Sequence, residues 1–275
     1  MGLNPDLVGK EYGVKTYPVT AEAIERFARA TNDDNEAYLV GDSSVAGPTF
    51  PVVPAFEFFM TAGMDPELGA DLMRLVHGEE EHVLHAPIRP GDVLSVGARL
   101  ESVEVKETGE TFTVVASESN ENWELVAEVR GTMFIRGSGK ASARRAAQRS
   151  EPEQGEVVYE ETTKVDDDQP ARYAEASGDH NPIHLDDNVA RAAGLPGVIL
   201  HGMCTMGIAA KAVVNGACGG DPTALRKIAV RFSRPVLPGQ ELTTRLWQTG
   251  DKSFGFETHN PRGSAVIRGG VAELG

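Results

Sequence analysis

The stretch YAEASGDHNPIHLDD, Tyr173 to Asp187, crowds Asp179, His180, Asn181 and His184 around Pro182. Asp, Asn and Pro are turn formers, so one reading is a plain surface loop. A second is a metal site made of Asp179, His180 and His184. The i, i+4 histidines resemble a helical ligand pair, but Pro182 between them interrupts a helix, and no Cys or Glu cluster completes a coordination shell. No metal is therefore expected. The third reading is acid–base chemistry, in which an irregular loop aims a carboxylate and an imidazole at one water and divides two proton tasks between them.

The chain carries this stretch twice. FARATNDDNEAYL from Phe27 runs parallel to YAEASGDHNPIHL from Tyr173, placing Asp33 on Asp179, Asn35 on Asn181 and Tyr38 on His184. FPVVPAF from Phe50 runs parallel to GVILHGM from Gly197, placing Pro54 on His201 and Ala55 on Gly202. LHAPIRPGDVL from Leu84 matches FSRPVLPGQEL from Phe232, and the offset drifts only from 146 to 148 residues. Three ordered matches at a nearly constant offset mean two copies of one fold. The copies differ at chemically capable positions, as expected of one working copy and one retired copy. Residues 137–156 are rich in Ser, Gly, Ala and charge and read as a linker between residues 1–136 and 157–275.

Each copy has the same layout. A short helix comes first, with Ile24, Phe27 and Ala28 on one face and Thr20 as its cap in the first copy. An apolar helix follows, PAFEFFMTAGM or HGMCTMGIAAKAVV, and then alternating runs such as DVLSVGARLESVEV, LVAEVRGTMFIRG and IAVRFSRPV. A helix wrapped by an antiparallel sheet is an α+β arrangement. The small residues of the second apolar helix, Gly207 among them, allow close packing around its axis.

The formal net charge of −15 argues against a nucleic-acid or anionic-membrane partner. Two cysteines, Cys204 and Cys218, are too few for a disulfide scaffold and point to a reducing, cytoplasmic setting. The N-terminus shows neither a signal-peptide pattern nor a myristoylation signal, and no apolar run approaches the roughly 20 residues of a membrane span.

The longer run YAEASGDHNPIHLDDNVARAAGLPGVILHGMCTMG resembles the hydratase 2 motif of MaoC-like (R)-specific enoyl-thioester hydratases and dehydratases: Gly-Asp-x-Asn-Pro-hydrophobic-His, then a downstream His-Gly. The resemblance covers nearly the whole chain. HGEE and LHAPIRPGD in the first half are similar to that family's degenerate N-terminal domain. It implies a double hotdog fold, with a degenerate domain over 1–136 and a catalytic one over 157–275. It implies Asp179 and His184 as the catalytic dyad, Asn181 as support for their geometry, Gly202 as the oxyanion-hole glycine and Phe232 as a substrate-contacting aromatic. The implied reaction is reversible hydration of trans-2-enoyl-CoA to (3R)-3-hydroxyacyl-CoA, with CoA as part of the substrate and no separate cofactor. Alternatives are a dehydratase acting on acyl-carrier protein and, of another class, a hotdog thioesterase or a non-catalytic acyl-CoA-binding module.

Three further groups have expected places. Arg226, Lys227, Arg231 and Arg234 form a basic run that meets CoA phosphates or is solvated; in a strand, Arg231 and Ser233 share one face and Phe232 and Arg234 the other. His77, His82 and His85 are expected at a domain contact or on the surface. Phe50, Phe56, Phe58 and Phe59 are core, with an acyl chain running toward the first copy. A monomer and a homodimer of chains both remain open.

Overall fold

The computed structural model describes residues 2–72, 74–106, 109–136 and 154–275. The first half runs β1 (Glu11–Pro18), α1 (Ala21–Ala30), α2 (Val52–Gly63), β2 (Leu75–Leu84), β3 (Val93–Lys106), β4 (Gly109–Ser119) and β5 (Leu125–Arg136). The second runs β6 (Val157–Lys164), α3 (Gln169–Ser177), α4 (Asp187–Ala192), α5 (Gly202–Ala217), β7 (Leu225–Phe232), β8 (Glu241–Gly250), β9 (Ser253–His259) and β10 (Ala265–Leu274). Residues 137–153 of the expected linker lie outside the described residues.

Local sequence accounts for the first helix of each half. The Thr20 side chain accepts a hydrogen bond from the Ala23 amide and caps α1. Ile24, Phe27 and Ala28 are buried on one face, as their spacing predicts. Ile24 and Phe27 contribute about 1.5–3 kcal/mol each on removal from water. Asp166 and Asp168 precede Pro170 in the first turn of α3, and Gly178 ends that helix with φ +80°, a conformation that favours glycine. α1 and α3 pack on each other across the halves, with the Phe27 and Tyr173 rings 5.7 Å apart.

All ten strands form one antiparallel sheet in the order β1-β3-β4-β5-β2-β7-β10-β9-β8-β6. The second five repeat the first five in mirrored order. The halves meet where β2 pairs with β7, and Glu81 stands opposite Ala229. Those two residues are 148 apart (229 − 81), the same offset that relates Leu84 to Phe232 (232 − 84). Equivalent residues therefore face each other, and a pseudo-twofold axis passes between them. Each half-sheet curls around its own central helix, α2 in the first half and α5 in the second. Among the described residues no helix is long and apolar enough to cross a membrane.

α5 is buried from Met203 to Ala210. Its Gly207 presses against Thr31 at the end of α1, so a Cβ there would lie 2.5 Å from Thr31 Cγ2. Gly207→Ala is expected to destabilise the fold by about 1–3 kcal/mol through overpacking, despite alanine's better helix propensity. Urea unfolding followed by circular dichroism checks this, and a stabilised variant would refute the contact.

Candidate active site

The loop after α3 is built by its own side chains. The Asn181 amide donates to Asp179 Oδ1 at 3.1 Å, and the Ile183 amide donates to Asn181 Oδ1 at 3.3 Å. Asn181 thereby caps a single 3₁₀ turn, Pro182–His184, with Pro182 at its start where a missing N–H costs nothing. The proline is thus the first residue of the turn that carries His184 inward. The first half repeats the device: Asn35 donates to Asp33 Oδ1 at 3.1 Å and caps the turn Glu36–Tyr38.

His184 is buried and its Nδ1 lies 2.8 Å from the Ile199 carbonyl oxygen. A carbonyl only accepts, so Nδ1 carries the hydrogen and Nε2 holds the lone pair. Burial lowers the His184 pKa against the opposing pull of the Ile199 carbonyl and Asp179, which favours this neutral form. His201 stacks on it with ring centroids 3.8 Å apart and planes at 26°. Its Nε2 lies 2.9 Å from the Asp179 carbonyl oxygen, so that nitrogen donates, and burial with His184 beside it pulls His201 down to about 3. Nδ1 of His201 is buried without a partner.

One ligand-type atom from each of Asp179, His184 and His201 falls within 4.8 Å of the others. The spacing alone would also suit a metal, since each imidazole gives one ring hydrogen to a backbone carbonyl and keeps a lone pair on its other nitrogen. His180, a ligand in the metal reading, is exposed and lies 3.8 Å from Glu175. The cluster suits a water held between acid and base.

His201 is also the residue before α5, so Gly202 is that helix's first residue. Its amide has no hydrogen-bond partner among the described residues, and the positive end of the helix dipole adds to its donor strength. The Phe232 ring covers Gly202, 3.4 Å from where a Cβ would stand. The first half has lost this arrangement. α2 starts at Val52 with Pro51 as its cap, which puts Ala55 at the fourth helical position, where the amide bonds to the cap carbonyl. Tyr38 fills the place of His184 with its hydroxyl buried and unpartnered, and burial pushes Asp33 up to about 6.

The remaining expected residues divide. Asp179, His184, Asn181, Gly202 and Phe232 come together. β7 ends at Phe232, so Ser233 and Arg234 follow the strand rather than alternate within it. Ser233 Oγ donates to the Ala265 carbonyl at 2.6 Å, which fastens β7 to β10 instead of facing a ligand. Arg231 pairs with Glu79 at 3.3 Å and Lys227 with Glu81 at 3.0 Å, so β2 offsets the charge of the basic run; Arg234 is exposed. His82 is buried at the seam, His85 lies at the surface 3.6 Å from Glu128, and His77 packs edge-on against Phe232 at 4.9 Å. Two residues of the site had no assigned role in the sequence: His201, which is the His of the downstream His-Gly, and Tyr173, whose ring lies 4.8 Å from His201.

Comparison with known proteins bears on the family and the fold. Residues 149–267 match the MaoC like domain, and residues 6–129 the FAS1-like, dehydratase domain region. The chain is 34% identical over 223 residues to 3-hydroxyacyl-thioester dehydratase Y of Mycobacterium tuberculosis, covering 77% of this chain and 73% of that one. It is 31% identical over 229 residues to the peroxisomal enoyl-CoA hydratase 2 of Arabidopsis thaliana, covering 77% and 72%. It is 30% identical over 236 residues to the mouse peroxisomal multifunctional enzyme type 2; the match takes in 82% of this chain but spans only 31% of that longer protein. Among solved structures, a MaoC-like dehydratase from Phytophthora capsici superposes with a TM-score of 0.87 at 25% identity, covering 99% and 98% of the two chains. A double hotdog protein of Mycobacterium tuberculosis shares the fold alone, at 12% identity, with a TM-score of 0.61 and 97% and 96% of the chains covered. The chain is a double hotdog protein and belongs to the MaoC-like hydratase and dehydratase family.

Proposed function

We propose that the protein adds water reversibly to trans-2-enoyl thioesters to give (3R)-3-hydroxyacyl thioesters, with CoA as the thiol. The observation that carries this reading is the convergence of the Asp179 carboxylate and the His184 imidazole beside the unpartnered Gly202 amide. The thioester carbonyl conjugates the double bond. As water attacks C3, an electron pair moves to the thioester oxygen, and the Gly202 N–H at the helix terminus stabilises it. His184 Nε2, the lone-pair nitrogen, takes the water's proton, and Asp179 accepts a hydrogen bond from the water's other O–H. The imidazolium then returns its proton to C2. Hydrogen and hydroxyl arrive from one cluster on one face, which gives syn addition. The reaction consumes water alone and needs no separate cofactor. Dehydration on an acyl-carrier protein is the same chemistry reversed. The free thiols Cys204 and Cys218 fit a reducing compartment, for which we take the cytoplasm.

Loss of enoyl-thioester absorbance with crotonyl-CoA tests the reading. Asp179→Asn and His184→Ala should each lower kcat/KM by about 10²- to 10⁴-fold. Wild-type activity retained in both would remove the dyad, and release of free thiol would indicate a thioesterase instead.

Gly202→Ala brings its new Cβ only into ordinary contact with Phe232. It should fold with a wild-type melting temperature yet lose activity, because the methyl group intrudes where the thioester must approach the amide. Full activity would place the thioester elsewhere.

The pH profile carries a sign. His184 acts as a base only when neutral, and its pKa is lowered from the usual 6.5. kcat/KM should therefore be flat from about pH 6.5 to 8 and fall only on the acid side of 6.5. An acid-side fall with its midpoint above pH 7 would contradict the assignment.

A further inference from the structure

β2 is the strand by which the first half borders the second, and three of its ionisable side chains form a chain of hydrogen bonds. His77 Nε2 lies 2.9 Å from Glu80 Oε2, and Glu80 Oε1 lies 3.0 Å from His82 Nε2. His82 Nδ1 lies 3.1 Å from the Pro48 carbonyl oxygen. Glu80 and His82 are buried, at 1% and 0% exposure. Burial alone would raise the Glu80 pKa, but the hydrogen bonds from His77 and His82 outweigh it and hold the carboxyl below its ordinary range. A carboxylate only accepts, so His77 Nε2 carries the hydrogen, and in the neutral ring Nδ1 is an acceptor. Among the described residues nothing bonds to that Nδ1, and the side chain remains 22% exposed.

Two observations bring His77 beside the candidate site. The His77 ring packs edge-on against Phe232, the ring that covers Gly202. The pseudo-twofold axis gives the same answer. The counterparts of His77 and Phe232 at the 148-residue offset are Leu225 and Leu84, and both line a shallow recess at the border of the halves together with Val45, Pro51 and Pro222. By the same offset His77 and Phe232 hold the corresponding positions on the second-half side.

We infer that His77, supplied by the half without a working site, binds substrate by accepting at Nδ1 a hydrogen bond from the amide N–H of the thioester's cysteamine arm. The inference rests on the thioester hydration proposed above. With the thioester oxygen at Gly202, an enoyl chain offers no N–H or O–H of its own. The donor nearest the carbonyl is the cysteamine amide, two carbons beyond the sulfur. That arm does not react, so the bond is equally strong in ground and transition states and appears in KM rather than kcat.

The test compares two crotonyl thioesters, one of N-acetylcysteamine and one of an alkyl thiol of matching length without the amide. His77→Ala should raise KM about 5- to 10-fold for the amide-bearing thioester, as a neutral hydrogen bond of about 1 kcal/mol requires, with kcat unchanged. It should leave the amide-free thioester within about twofold. His77→Asn, whose Oδ1 stands where Nδ1 stood, should restore most of the loss. Equal losses on both thioesters, or a loss confined to kcat, would overturn the inference and reduce His77 to packing against Phe232. A wild-type protein that hydrates neither thioester would instead remove the functional reading beneath it.

Discussion

The antiparallel pairing of β2 with β7 is the constraint on which the rest of the structure depends. It joins two five-stranded half-sheets into one and sets Glu81 opposite its own counterpart Ala229. A slip of one residue would turn the inward row of β2 outward and the carboxylates of Glu79 and Glu81 inward. Glu80 and His82 would leave the core, and Glu79 and Glu81 would no longer face Arg231 and Lys227. The register is therefore held by buried polar groups as much as by apolar ones. The same strand brings His77 of the first half against the Phe232 ring of the second.

The loop that carries Asp179 shows how scaffold and chemistry share a side chain. One carboxylate oxygen holds the Asn181 amide and shapes the turn, which leaves the other for a ligand. Asp33 performs the first task in its own half with no imidazole beside it. The Asp and Asn of the motif thus stand in both copies with the turn they shape, while His184 of one copy is replaced by Tyr38 in the other. Asp33 pays for its burial by a pKa raised to about 6, offset in part by its bond to Asn35 and by Lys211.

Much of this was legible in the sequence. The repeat, the cap at Thr20, the buried face of α1 and the turn around Pro182 follow from local spacing and residue type. Contacts between strands distant in sequence were not. The pairing of Arg231 with Glu79 needs the register of β2 on β7, which no local pattern contains, and without it a basic run reads as a phosphate site. Ser233 looked available because alternation was extended one residue past the end of β7. His77 looked peripheral because its own half has no acidic site; only the pseudo-twofold axis carries it to Phe232. The stacking of His201 on His184 depends on where α5 begins, and the sequence marks that start only by His-Gly.

That starting point is where the two halves differ most at the candidate site. In the second half the chain stays extended through His201, at φ −58° and ψ 140°, and turns helical at Gly202. The His201 ring then lies free to donate to the Asp179 carbonyl and to stack on His184, and the next amide is left without a partner. One imidazole, held neutral by burial, thus ties the Asp179 and His184 cluster to the start of α5 and its Gly202 amide. In the first half the helix begins three residues earlier in the aligned frame, since Val52 corresponds to Ile199. The extra turn places Pro54, which has no amide hydrogen, where His201 stands and draws the Ala55 amide into the helix ladder. Restoring an imidazole at position 38 alone would therefore return a base to a site whose oxyanion donor is already engaged. The two halves differ in the length of a helix as well as in the identity of a side chain, and the helix is the harder difference to reverse.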